Sequence, residues 1–271
     1  MIATFVLSPA AAKRLIARGV INDPIFKQAY TEGKVIICVG TTNSYIVHEL
    51  GLINAEEQGL FATGVISKGL PCVTADHRLS HICLEKGQRI EADWAEFLNG
   101  FERDDVFIKG ANAFDAGGNA GVLMASPGGG TVGASFGILA ARGSQVIIPV
   151  GHEKMIPSCQ AAAKVMGIKR IDNSLGLRCG LAILPGGQIY TEIDAIKTLF
   201  GLEATVVSAG GTGGSEGGVM LAVEGEKQQV QAALKMARSL MKEKPLSVTK
   251  QSCKNCIMDS PCDFKYEVKN Q

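Results

Sequence analysis

Neither sign of charge is in surplus. Lys and Arg total 27 and Asp and Glu 26, a formal net charge of +1. A general nucleic-acid surface needs a basic excess or stripe, so this balance argues against nucleic acid as a partner. No apolar run approaches the roughly 18 residues of a membrane span, and no membrane partner is expected. The opening MIATFVLSP is apolar but lacks the basic n-region and length of a signal peptide. A cytoplasmic location is the expectation. Sustained internal repeats are absent, and aromatic residues make up only 6% of the chain.

What is present fits a folded protein. The 271 residues are 46% hydrophobic and 20% charged, enough to bury a substantial core in one large domain or two modest ones. Glycine is abundant, with 33 residues and no low-complexity tract. That pattern suggests tight turns and loops where backbone approaches a ligand. Eight cysteines in a reducing compartment read as core thiols, metal ligands or reactive groups before disulfides. Such a composition is compatible with a homo-oligomer, although no residue pattern points to one.

Helix starts are legible at Ser8-Pro9 and Asp23-Pro24, where a capping side chain precedes a proline suited to the first turn. KVIICVG, DDVFIKG (104–110) and SQVIIPVG (144–151) are short apolar runs rich in β-branched residues, each read as a buried strand. Residues 60–92 read as strands and turns, and 94–103 as a short helix. The alternation predicts α/β: a parallel sheet flanked by helices over residues 1–175. After it, GLAILPG, YTEIDAIKTLFG, EATVVSAGG, VMLAVEG and a last long helix suggest a smaller ferredoxin-like α+β domain over 176–246. A Cys-bearing tail follows over 247–271.

Four strand-end segments could carry chemistry. Gly40-Thr41-Thr42-Asn43-Ser44 offers open backbone, helix-start N–H groups and hydroxyls, suited to a phosphate or carboxylate; the alternative is a plain helix cap. Gly128-Gly129-Gly130-Thr131 in SPGGGTVG exposes further N–H groups; the alternative is a turn needing positive φ. IKGANAFD supplies Lys109 to neutralise an anion, Asn112, and Asp115 as a proton-transfer candidate. GHEKM supplies His152, the second proton-transfer candidate, and Lys154 as another cation. Solvated loops are the alternative for both. SAGGTGGSEGGV (208–219) holds six glycines and Glu216, longer than a hairpin requires; it reads as a ligand-contacting loop or a linker.

The tail carries Cys253, Cys256 and Cys262 in a C-x2-C-x5-C spacing. Two thiolates two residues apart chelate a soft metal, and a third makes an Fe–S cluster or Zn site plausible. The fourth ligand is sought in Cys159 or Cys179. Free thiols on an exposed tail, the alternative, would oxidise. His77 and His81, near Asp76 and Cys72, form a polar patch for which a metal is not expected. Cys38 and Cys83 read as buried hydrophobes.

In order, VGTTNS, KGANAFD, SPGGGTVG and GHEKM resemble motifs of the sugar-phosphate isomerase/CoA-transferase-like (ISOCOT) superfamily. Within it the chain is most similar to the ribose-5-phosphate isomerase group, over roughly residues 34–235. The resemblance implies an α/β domain with a phosphate loop after its first strand, a small α+β domain after the Lys, and isomerase or transferase chemistry. Departures go with it. Asn112 stands where the isomerases carry a third-position Asp, and an amide cannot be a general base. The Lys and Glu of their Gly-rich segment have no counterpart here. Two functions follow as expectations. One is binding, and conversion, of a small anionic metabolite (sugar phosphate, acyl-CoA or nucleotide) in an inter-domain cleft. The other is a redox, sulfur-handling or sensing role for the Cys cluster.

Overall fold

A computed structural model describes residues 1–75, 77–254, 256 and 262–263. Asp76 of the polar patch lies outside the described residues. In chain order the elements are β1 (Ile2–Leu7), α1 (Pro9–Asn22), α2 (Pro24–Glu32), β2 (Lys34–Ile37), α3 (Asn43–Glu49), β3 (Gly64–Ser67) and β4 (Leu70–Val73). Then come β5 (Ile82–Glu85), β6 (Gln88–Ile90), α4 (Trp94–Leu98), β7 (Val106–Ile108), β8 (Ala113–Phe114), β9 (Ala120–Met124) and α5 (Gly130–Arg142). The remainder is β10 (Gln145–Pro149), α6 (Cys159–Val165), β11 (Gly180–Leu184), β12 (Gln188–Tyr190), α7 (Glu192–Phe200), β13 (Glu203–Gly210), β14 (Gly218–Glu224) and α8 (Lys227–Leu240).

The central sheet has six strands in the order β12-β10-β7-β2-β5-β6. Its first four run parallel, β5 joins β2 antiparallel, and β6 joins β5 antiparallel. The sheet is therefore mixed, not the wholly parallel one expected: the hairpin from 82 to 90 extends the parallel core at one edge. Both faces are covered. Val35, Ile37, Val106, Ile108 and Ile147 join the core under α1, α2 and α3. Their alternates Ile36, Phe107, Val146 and Ile148 join a second core with residues of α4 and α5. Burial on both faces explains why these strands read as continuous apolar runs.

Two helix starts behave as their sequences predict. Ser8 Oγ accepts from Ala11 N at 3.3 Å, and Asp23 Oδ1 accepts from Ile25 N at 2.9 Å. Strands on the two sides of residue 175 share sheets. β1 pairs with β14 in the three-stranded sheet β1-β14-β13, β11 pairs with β9, and β12 borders β10. The opening MIATFVL is thus an edge strand. Among the described residues, no helix is long and apolar enough to cross a membrane.

Candidate functional site

Parallel strands send their C-terminal ends, and the loops that follow, to one edge of a sheet, where α/β proteins gather ligands. Here β2 runs into Gly40-Thr41-Thr42, β7 into Lys109, and β10 into the short 3-10 turn His152–Lys154. Across from them β9 leads into the glycines that open α5. Gly40, Thr41, Thr42, Lys109, Asn112, Gly129, Gly130, Thr131 and Lys154 together line one cavity of about 280 Å³. The hairpin β3–β4 closes it with Thr63, Val65, Ile66 and Cys72. Val122, Leu123, Met124 and Leu177 supply much of the apolar wall.

Among the described residues, the wall carries two lysines and no carboxylate. Lys109 Nζ donates to Gly110 O at 3.2 Å, and Lys154 Nζ to Ala111 O at 3.0 Å. Neither carbonyl neutralises a charge. Loss of solvent lowers both pKa values. Lys154 falls to about 8, through burial first and then repulsion by Lys13, with Lys109 adding to it and Glu153 and Glu192 opposing. An ammonium in such a setting gains strongly from an incoming anion.

Uncharged donors face the same space. Thr42 is 2% exposed, and its Oγ1 has no protein partner. A buried hydroxyl left unpaired is costly and calls for a ligand or water. At Gly129 and Gly130 the φ angles are +80° and +56°, a geometry that favours glycine. The turn has no side-chain cap, so first-turn N–H groups of α5 remain for a ligand. Thr131 is held from behind by His81. Val39 N donates to His81 Nδ1 at 3.0 Å, which fixes the proton on Nε2; Nε2 lies 3.2 Å from Thr131 Oγ1 and donates to it. The Thr131 hydroxyl proton is then free to point into the cavity. Burial, followed by repulsion from Lys109, lowers the His81 pKa to about 4, so the ring stays neutral near neutral pH.

Other expected site residues have structural partners instead. Asn43 is fully buried, and its amide donates to Cys38 O at 2.8 Å and Ile108 O at 3.3 Å, tying the ends of β2 and β7 together. Ser44 is buried and donates to Thr41 O at 2.9 Å. Gly128 is not among the lining residues; its carbonyl packs over Gly133, where any Cβ would collide. Asp115 also lies off the cavity wall. It accepts from Cys159 N at 2.8 Å and Asn119 N at 3.0 Å, and these bonds hold its pKa below the usual range. Its carboxylate organises the turn before β9 and the start of α6. His152 is likewise off the wall, with Nδ1 2.7 Å from the buried Glu192 and its ring edge-on to Phe114 at 5.2 Å.

A wider cleft of about 950 Å³ opens outside the cavity and shares Thr41, Gly64, Val65, Ile66, Asn112 and Lys154 with it. Glu216, in the exposed loop before β14, lines this outer cleft together with Lys13 and Glu153. The three tail cysteines line a separate, smaller pocket. Cys179 borders the 280 Å³ cavity instead, and Cys159 Sγ donates to Asn119 O at 3.4 Å. Sequence reasoning missed the β3–β4 wall and the support from His81. The density of polar residues around position 81 was the one signal available.

Fold and cavity together define a class: an α/β chain with a cationic, hydroxyl-lined cavity at the C-terminal edge of its parallel strands. No family model, curated protein or solved structure matches the chain.

Proposed function

We propose that the chain binds a small anionic metabolite, with the anionic group between Lys109 and Lys154. The carrying observation is a wall with two recessed lysines and, among the described residues, no carboxylate. Thr42 Oγ1, the Thr131 hydroxyl and the N–H groups at Gly130 complete a donor set suited to a phosphate or carboxylate. The inner cavity, at about 280 Å³, lies near the lower end of the range for small-molecule sites. It suits a sugar phosphate, or the phosphorylated end of a nucleotide or acyl-CoA whose remainder extends into the outer cleft. If turnover occurs, Lys154 is the group to carry it: an amine with a pKa of about 8 can exchange a proton or attack a carbonyl near neutral pH. This reading moves proton transfer from Asp115 and His152 to Lys154. It keeps the anion-binding half of the ISOCOT resemblance and leaves the isomerase chemistry without a carboxylate base.

The test is calorimetric titration with inorganic phosphate and a panel of phosphorylated sugars, nucleotides and CoA esters. Lys109→Ala should weaken the best ligand by roughly 10- to 100-fold, the range for losing a hydrogen bond to a charged group. Affinity unchanged by Lys109→Ala and by Lys154→Ala would refute the assignment.

A further inference from the structure

The pocket beside the cavity gathers four thiols from distant parts of the chain. Cys253, Cys256 and Cys262 line it from the tail, and Cys72 lines it from β4. The tail is fastened there on both sides of the thiols. Before them, residues 249–251 run antiparallel to the end of β4. Ala75 N donates to Thr249 O at 2.9 Å and Gln251 N to Val73 O at 3.0 Å, around a bridge between Thr74 and Lys250. After them, Asp263 N donates to Ser174 O at 3.0 Å, and Ser174 N returns a bond to Asp263 Oδ2 at 2.6 Å. The 176–177 loop is itself bonded to β4 through Leu177 N and Pro71 O at 2.8 Å. So the body of the protein fixes both ends of the Cys motif against the strand that carries Cys72.

We propose that Cys72, Cys253, Cys256 and Cys262 form a tetrathiolate site for one thiophilic dication of the zinc type, with Cys72 as the fourth ligand and Lys250 as its charge partner. Neither Cys159 nor Cys179 reaches this pocket. Four sulfurs satisfy the tetrahedral preference of such an ion. Size favours a single ion over a multi-iron cluster: the pocket holds about 30 Å³, room for about two waters. Leu70, Pro71, Val73, Gly176 and Leu177 also line it, with Lys250 and Gln251 from the tail, and the apolar part of this shell limits access of competing water. On binding, four S–H bonds break, four metal–sulfur bonds form and four protons leave to solvent. The product carries a net charge of −2, and Lys250 Nζ, 2.9 Å from Cys253 Sγ, offsets half of it. Among the described residues, no three candidate ligands already stand in metal-holding geometry, so such a site requires the thiols to turn inward as the ion enters.

The test uses the full chain, reduced and stripped with a chelator, then titrated with Zn²⁺ and with Co²⁺ as a spectroscopic probe. One ion per chain and the absorption of tetrahedral cobalt bound by four thiolates are expected. Cys72→Ser should change that spectrum and weaken Zn²⁺ by about 100-fold or more, since losing a direct ligand costs at least what outer-shell losses do. Cys159→Ser and Cys179→Ser should change neither. Should Cys72→Ser fail to fold, alkylation of the wild-type protein decides: Zn²⁺ must shield Cys72 together with the three tail cysteines. Four outcomes overturn the proposal: Cys72 alkylated while the tail is shielded, an unchanged Cys72→Ser spectrum, no stoichiometric ion, or iron with acid-labile sulfide.

Discussion

At Lys154 the proposed anion binding and the stability of the fold would pull against each other. In the unfolded chain its amine titrates near 10.5, and in the folded protein near 8. Below about pH 8 the native state must carry a poorly solvated charge, repelled by Lys13 and Lys109 and relieved only in part by Glu153 and Glu192. Between about 8 and 10.5 the unfolded state binds more protons, so this penalty fades as pH rises. Lys154→Met should therefore stabilise the ligand-free protein by roughly 3 kcal/mol near neutral pH, at about 1.4 kcal/mol per tenfold, and by little at about pH 10. Urea unfolding of both proteins at the two pH values measures it; a gain that does not depend on pH would remove burial of the charge as its cause. The same substitution should weaken anion binding, the expected exchange when a strained site is relaxed.

The expected site residues that line the cavity are those that a local pattern could place at the sheet edge. Thr42, Lys109, Thr131 and Lys154 each follow a recognisable apolar strand or open a helix, so their position at the sheet edge was legible. Asp115 and His152 had the same local credentials. Their carboxylate and imidazole are engaged by Cys159 N and Glu192, 44 and 40 residues away in sequence, and no local pattern announces such partners. Cys72 was passed over for a related reason: its neighbours are thiols at the far end of the chain.

Elements are locked together by a few buried ionic contacts, and Arg14 on α1 joins several of them. Its guanidinium is 2.9 Å from Glu243, beyond the end of α8, 3.1 Å from Glu49 on α3, and 3.0 Å from His48 Nδ1. It also lies 4.6 Å from the centre of the Tyr45 ring. Burial first, and Arg14 second, lower the His48 pKa, which suits its imidazole to accept from the guanidinium. Arg14→Ala would remove this cation from two partly buried carboxylates, Glu243 and Glu49, the latter still 3.2 Å from Arg18 Nε. The expected loss is about 2 kcal/mol or more, within reach of what breaking a buried pair costs, read as a lower urea midpoint. Arg14→Ala combined with Glu243→Gln should recover part of it, and no recovery would place the loss in packing instead. Helix boundaries such as Ser8-Pro9 and Asp23-Pro24 were legible because capping is local. The mixed sheet was not, since the direction of β5 depends on which edge of β2 it joins.

At the scale of the whole molecule, β4 is a shared wall. Pro71, Cys72, Val73 and Leu177 border both the lysine-lined cavity and the thiol pocket. At Gly176, which also lines the thiol pocket, φ is +98°, and an added Cβ would lie 2.6 Å from Pro71 O. The loop packs closely on β4 there and is hydrogen-bonded to it through Leu177 N and Pro71 O. An ion that draws Cys72 toward the tail would therefore bear on the position of the hairpin that closes the lysine-lined cavity. If both sites operate as proposed, zinc-loaded protein should bind its anion about 5-fold or more tightly than stripped protein, the lower end of typical coupling between sites. Because coupling is reciprocal, saturating anion must raise zinc affinity by the same factor. Calorimetric titration in both orders measures the two factors on one sample. Equal factors above unity would make the tail a device that holds the cavity closed. Factors of one would leave two independent sites back to back, and β4 would be rigid enough to serve each without informing the other.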